Sequence, residues 1–309
     1  MLVVSIDGLA PRHITRAAMP ALTTLALGGA SCFTARTVAP PWTVPAHTSM
    51  LRGVDPATHG LSDNTPAPLR TRAPSFLKAA REAGCSTALF VSWLPLDAVI
   101  ERDAATQRFV IDSGYDPDDD RRMVDAAVAA ARGGCGGLMF VYLVGPDLAG
   151  HAYGFDSAEY RAAAVRSDTT LARLLDAVGD GAPVLVTTDH GGLGTNHADQ
   201  VPDVMETFVV VRAPGRVAAG SGWRAASLLD VAPTVADLCG FAPDPRWEGS
   251  SLLGRELPLV DVVIDLLAAG VGVSYRERVT MLDHALQSAA LAAVRQYERG
   301  RILPNDPAD

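Results

Sequence analysis

The stretch PVLVTTDHGGLGTNH, residues 183–197, opens on an unbroken apolar run, turns polar at an Asp-His pair and passes into glycines. A run that is apolar on both faces is the signature of a strand buried inside a parallel sheet. Four further stretches read in the same way: LVVSID at residues 2–7, STALFVSW at 86–93, GLMFVYLVG at 137–145 and TFVVVRAP at 207–214. Between them lie APSFLKAAREAG at 73–84, DRRMVDAAVAAARGG at 120–134 and SAEYRAAAVRSDTTLARLLDAVGDG at 157–181. These carry apolar residues at helical spacing and close on glycine, the common stop signal. The alternation predicts an α/β protein with a mainly parallel sheet.

Ligands of open α/β sheets bind beyond the carboxyl ends of the strands. Three acids are expected there: Asp7 closes LVVSID, Asp147 follows FVYLVGP and Asp189 closes VLVTTD. Histidines accompany them, with His190 next to Asp189, His151 four residues after Asp147, and His197 in GGLGTNH. None of these residues falls in a segment read as helix. A mixed Asp and His set suits Zn²⁺ or another divalent ion of intermediate hardness better than Mg²⁺ or Ca²⁺. The ligands suffice for a pair of ions, and paired ions about 3.5 to 4 Å apart favour displacement at phosphorus. Singly, each residue reads as a helix cap or a hydrogen-bonded core histidine; their shared sheet edge is what points to a site.

The bulk numbers agree with such a site. The chain has 309 residues, 48% hydrophobic and 20% charged, with a net charge of −9 and a pI near 5.2. That balance excludes a general nucleic-acid surface, which needs clustered Lys and Arg. An anionic substrate must then be met locally, by bound cations or a few placed donors. The start, MLVVSIDGLAP, reads as a strand without a leader, and no stretch reaches the roughly 20 apolar residues of a bilayer span. A cytoplasmic protein with no membrane partner is expected. Cys32, Cys85, Cys135 and Cys239 are spread out and read as buried reduced thiols.

Four stretches, SIDG, PPWTVPAHTSMLRG, GPDLAGHAYG and TTDHGGLGTNH, occur in fixed order, and LLDVAPTVADLCGFAPDPRWEGSSL follows. Together they resemble the alkaline phosphatase superfamily, closest to its type I phosphodiesterase and nucleotide pyrophosphatase branch. The resemblance runs from Met1 to about Leu252. It implies a three-layer α/β/α sandwich with a mainly parallel central sheet. The shortness of the chain implies a trimmed cap region. Residues 1–257 are expected to form the catalytic domain. Residues 258–309 read as a C-terminal helical extension that packs on the core or on a partner chain, as in a homodimer.

Carried over residue by residue, the resemblance implies that Asp7, Thr43, Asp189 and His190 surround one Zn²⁺, or another divalent metal such as Mn²⁺. Asp147, His151 and His197 surround the second. Thr43 is then the nucleophile, forming a covalent phospho-threonine that water releases. Its place before VPAHTSML agrees, since a helix N-terminus and a cation both favour the alkoxide. On the residues alone, Thr43 is equally an N-cap. Asn64, in HGLSDNTPA, matches an asparagine that donates to a phosphoryl oxygen together with backbone at the nucleophile; without the resemblance, SDNTPAP is a turn. His47 and His59 are expected to be structural, and His13 and His284 lie in no motif.

The expected activity is hydrolysis of a phosphodiester or nucleotide pyrophosphate in a small anionic substrate. Alternatives on the same fold are a phosphomonoesterase and a phosphonate hydrolase, and one of another class is an inactive binding protein. A phosphonate substrate bearing a carboxylate needs lysines, and Lys78 is the only lysine. Sulfatases need a Cys or Ser followed by Pro and Arg, where this chain has TVPAH. A phosphoglycerate mutase of this fold uses Ser and an inserted domain. Trp42 stands where many relatives have Lys, offering an aromatic surface to a base or to the protein. Residues 95–122, with their DPDDD run, break the alternation and read as a solvated acidic loop or an insertion walling a pocket.

Overall fold

The computed structural model describes residues 1–111, 119–134, 137–258 and 261. Two compact units divide the chain, Met1–Leu257 and Pro258–Asp309. The expected C-terminal helices, His284, Cys135 and residues 112–118 lie outside the described residues.

The first unit begins with β1 (Leu2–Ile6), α1 (Pro20–Leu27), β2 (Ala30–Arg36) and α2 (Thr43–Arg52). Short α3 (Pro56–His59) and α4 (Phe76–Glu82) lead to β3 (Thr87–Val91), α5 (Leu94–Ala98) and β4 (Gln107–Val110). Then come α6 (Asp119–Arg132), β5 (Leu138–Leu143), α7 (Gly145–Tyr153), α8 (Ala158–Val178) and β6 (Val184–Thr187). The series closes with α9 (Pro202–Met205), β7 (Glu206–Arg212), β8 (Ser221–Gly222), α10 (Val231–Cys239) and β9 (Leu257–Pro258).

The strands form one sheet in the order β4-β3-β5-β1-β6-β7-β2-β8-β9. Its centre is parallel: β1 runs with β5 and β6, and β3 runs with β5 and β4. β7 is antiparallel to both β6 and β2. Side chains alternate across the sheet with period two. Leu2, Val4, Val141 and Val186 join Leu22, Met123 and Leu171 in one core, while Val3, Phe140 and Leu185 join Met50, Phe76 and Val235 in the other. Helices therefore cover both faces, giving the mixed α/β, mainly parallel sandwich the sequence predicted.

Two expectations need correction. Residues 95–122 are not a solvated loop throughout: β4 extends the sheet beside β3, and α6 begins inside the acidic run with Asp119 buried. Asp147 and His151 lie on a helix, α7. Pro146 stands in the first turn of α7, where a missing N–H costs nothing, so the GP pair starts a helix instead of breaking one.

Candidate functional site

β1, β5 and β6 end side by side, Ile6 against Leu143 and Ser5 against Thr187. The chain leaves each at the same edge, and Asp7, α7 and Asp189 are delivered there together. Two groups result, each with one ligand atom per residue and all such atoms within 4.8 Å of one another: Asp7 with Asp189 and His190, and Asp147 with His151 and His197. Asp7, Asp189 and His190 come from strand ends and are buried. Asp147 and His151 sit one turn apart on α7, so both project from one face, and the His151 side chain is 42% exposed.

The histidines show which of their nitrogens are available. Nδ1 donates to a backbone carbonyl in each of the three: His151 to Thr195 at 2.9 Å, His190 to Gly191 at 2.8 Å and His197 to Pro41 at 2.9 Å. The second nitrogen, Nε2, then faces the carboxylates, the position from which an imidazole ligates a metal once that nitrogen is deprotonated. His190 Nε2 is 3.3 Å from Asp7 and 3.2 Å from Asp189, and His151 Nε2 is 3.5 Å from Asp147. Burial, helped by His190, lowers His197 to about 3, so its ring is neutral at physiological pH. His47 differs, because Nε2 meets Ser5 Oγ at 2.9 Å and Nδ1 meets the Thr43 carbonyl at 2.9 Å. His59 is likewise engaged at both nitrogens, by Ser49 Oγ and the Leu61 N–H. It is the last residue of α3.

The carboxylates fit cations. Asp7 Oδ1, Asp147 Oδ1 and Asp189 Oδ2 are buried and make no hydrogen bond, which is costly for a charged group left uncompensated. Burial, then Asp189 and Asp147, raise Asp7 well above the carboxylate range. Burial also raises Asp147, and it pushes Asp189 the same way; there His190 and His47 overcome it and hold the group low. Oxygen and imidazole donors in two such groups are a donor set for divalent ions of the zinc type.

Gly8, just after Asp7, has φ +65° and gives its N–H to Asp189 Oδ1 at 3.2 Å. A Cβ there would lie 3.0 Å from Asp147. The close approach of the groups depends on this residue having no side chain.

Thr43 is the first residue of α2 and is buried, its Oγ1 3.4 Å from His190 Nε2. The cap position is held by Trp42, whose side chain makes no capping bond. Asn64 serves the helix start, accepting the Val44 N–H through Oδ1 at 2.9 Å. That bond identifies Oδ1 and leaves Nδ2 as the donor Asn64 can offer. Thr43, Asn64, Asp7, Asp147, His151 and His197 line one small cavity of about 70 Å³. The Trp42 ring packs edge-on to His197 with centroids 5.3 Å apart.

Three residues at the site escape a reading of the sequence. Tyr142, on β5, donates its buried hydroxyl to Asp7 Oδ2. Trp93 walls the cavity. Asp120, in the acidic run, accepts the backbone N–H groups of Val144 and Gly145 at 2.8 and 2.9 Å, just where α7 begins. Arg52 is buried against Glu101 at 2.7 Å and the Val99 carbonyl. Lys78 is paired with Asp103 and Glu82, away from the cavity.

Residues 1–233 match the family model described as type I phosphodiesterase / nucleotide pyrophosphatase, about three quarters of the chain. The chain belongs to this family. Among curated proteins, a 2,3-bisphosphoglycerate-independent phosphoglycerate mutase of Desulforudis audaxviator is 34% identical over 122 residues, covering 38% of this chain and 23% of the mutase. The chain spans about a quarter of the length of the curated relatives it matches. Human ectonucleotide pyrophosphatase / phosphodiesterase 5 superposes with a TM-score of 0.70 at 14% identity, covering 82% of this chain and 99% of that one. A phosphonate monoester hydrolase from Silicibacter pomeroyi gives 0.62 at 16% identity, covering 82% and 75%. At such identities the superpositions show that this family member has the fold of those enzymes.

Proposed function

We propose that the protein is a metal-dependent phosphodiesterase that cleaves phosphodiester or nucleotide pyrophosphate bonds through a phospho-threonine at Thr43. The observation that carries this reading is the position of Thr43 Oγ1: buried at a helix N-terminus, beside His190, in a cavity shared by both ligand groups. Asp7, Asp189, His190 and Thr43 would hold one divalent ion and Asp147, His151 and His197 the other, with Zn²⁺ or Mn²⁺ suited to the donors. Such ions supply Lewis acidity, making a nucleophile available at neutral pH and offsetting charge on the phosphoryl oxygens.

The chain's own residues do the rest. Thr43 Oγ1 bonds to phosphorus as the ester P–O bond breaks and the leaving group departs; water then cleaves the Thr43–phosphorus link and restores the hydroxyl. The α2 N-terminus favours negative charge at that oxygen. Asn64 Nδ2 donates to a non-bridging phosphoryl oxygen, a contact worth roughly 3 kcal/mol in comparable sites. Its Oδ1 bond to Val44 keeps that amide oriented. Arg52 and Lys78 are paired elsewhere, and among the described residues no lysine or arginine lines the small cavity. That balance suits a monoanionic diester better than a dianionic monoester. A panel of aryl monoesters, diesters, dinucleotides and phosphonates, run on zinc-loaded protein, should rank diesters first; a monoester preference would move the protein to a phosphatase role. Acid quench during turnover should leave phosphate or a nucleotidyl group on the peptide containing Thr43.

A further inference from the structure

α7 carries two ligands of one group, Asp147 and His151, yet no side chain of its own N-cap residue closes its first turn. The first N–H groups of a helix have no partner within it. Here the partner arrives from α6: one Asp120 oxygen accepts from Val144 at 2.8 Å and the other from Gly145 at 2.9 Å. The fit depends on Gly145, since a Cβ at that residue would lie 2.8 Å from Asp120 Oδ2. Two charge-assisted bonds from one rigid carboxylate fix both the height and the rotation of the helix start. Asp147 follows two residues later, in the same turn. The Asp7, Asp189 and His190 group hangs from strand ends and receives nothing from Asp120.

We infer that Asp120 is a positioning residue for the α7 ligand group, setting the register in which Asp147 and His151 meet His197. The inference rests on the two-group metal reading proposed above. It gives a role to the acidic residue that α6 turns toward the start of α7. It also fits the cost of the arrangement: burial raises Asp120 to about 6, so a charged carboxylate is held there at a stability penalty that a neutral cap would avoid.

The test is a zinc titration of wild type and Asp120→Asn by calorimetry, repeated with Co²⁺ and followed by its visible absorption. Asparagine keeps one acceptor and sets an NH₂ group against the second backbone N–H. The expected result is a fall of about 10- to 100-fold in affinity at one site, the range found when partners of metal ligands are lost, with the other site within about twofold. Gly145→Ala, which leaves the carboxylate but crowds it, should shift the same site in the same direction. Turnover by Asp120→Asn should recover as zinc is raised. Equal weakening of both sites, or unchanged affinities with only a lower melting temperature, overturns the inference. A wild type that takes up two ions with affinities that Asp120→Asn matches overturns it alone; a wild type that takes up none overturns the metal reading with it.

Discussion

The two ligand groups are built differently. Asp7, Asp189 and His190 stand at strand ends and are almost wholly buried, Asp7 being 1% exposed and the other two 0%. Two of them are fixed further by second partners, Tyr142 on Asp7 and the Gly8 N–H on Asp189. Asp147 and His151 ride on α7, whose start is tied down from α6, and His151 is open to solvent. A strand inside a sheet is held along its length by both neighbours, whereas a short surface helix is held at its ends. The strand-end group is therefore the rigid half of the site and the α7 group the adjustable half.

The largest expected effect tests whether Thr43 works with the rigid half. Thr43→Ala should lower turnover by about 10⁴-fold or more, as loss of a nucleophile does, while the α7 group keeps its ion. As an N-cap alone, the same change would cost about 1 kcal/mol of stability and spare the chemistry; wild-type turnover in the variant would dismiss the nucleophile. Thr43→Ser should retain part of the activity.

Next in size are the single-ligand variants. Asp189→Asn should empty the strand-end group and Asp147→Asn the α7 group, each lowering turnover by about 10²-fold or more as ligand charge is lost. Elemental analysis should find about one ion left in each case. Loss of both ions from either variant would mean that the groups are a single cooperative site, and the comparison would fail.

A milder contrast is kinetic. With a chelator in excess, the ion at the exposed His151 should leave first, giving biphasic loss of bound metal, with the fast phase belonging to the site that Asp147→Asn removes. A single phase would show that burial does not separate the halves.

The smallest effect concerns the tie on α7. Asp120 has a folded pKa near 6, raised by burial from its ordinary value of 3.8. The folded state thus binds this proton more tightly than the unfolded chain, so the contribution of the group to stability improves as pH falls from 7 through 6 toward 4. Above pH 6 the penalty is fully present. In metal-free protein, the unfolding free energy of wild type minus that of Asp120→Asn should rise on acidification across that window, by no more than about 1.4 kcal/mol per pH unit. A flat difference would show that Asp120 is not desolvated as its burial implies.

The same contrast explains what could be read from the sequence. The six residues of the two groups stand at or near strand ends in short motifs, Thr43 is marked through the family resemblance, and the central strands are marked by unbroken apolar runs. β2 and β4 escaped because Ser, Thr and Arg interrupt the pattern: β4 is an edge strand with alternating exposure, and β2 is buried on only part of its length. α7 is missed because the strand reading of GLMFVYLVG runs on through Gly145, although Gly145 and Pro146 belong to the first turn of the helix. Asp120, Tyr142 and Trp93 are legible only in three dimensions. Asp120 reaches across 24 residues to Val144 and Tyr142 across 135 to Asp7, and an aspartate that caps a helix other than its own leaves no periodic trace.

Gly8 gives the site a dimension that no side chain could set. The spacing between the two halves is gauged by a missing atom, so the shortest possible insertion, one methyl group in Gly8→Ala, acts as a shim. It would press on Asp147 from a backbone already at φ +65°, a strain most L residues resist. An engineer seeking a wider metal pair, or a natural variant drifting toward a bulkier phosphoryl group, would meet that limit at residue 8 before reaching any ligand.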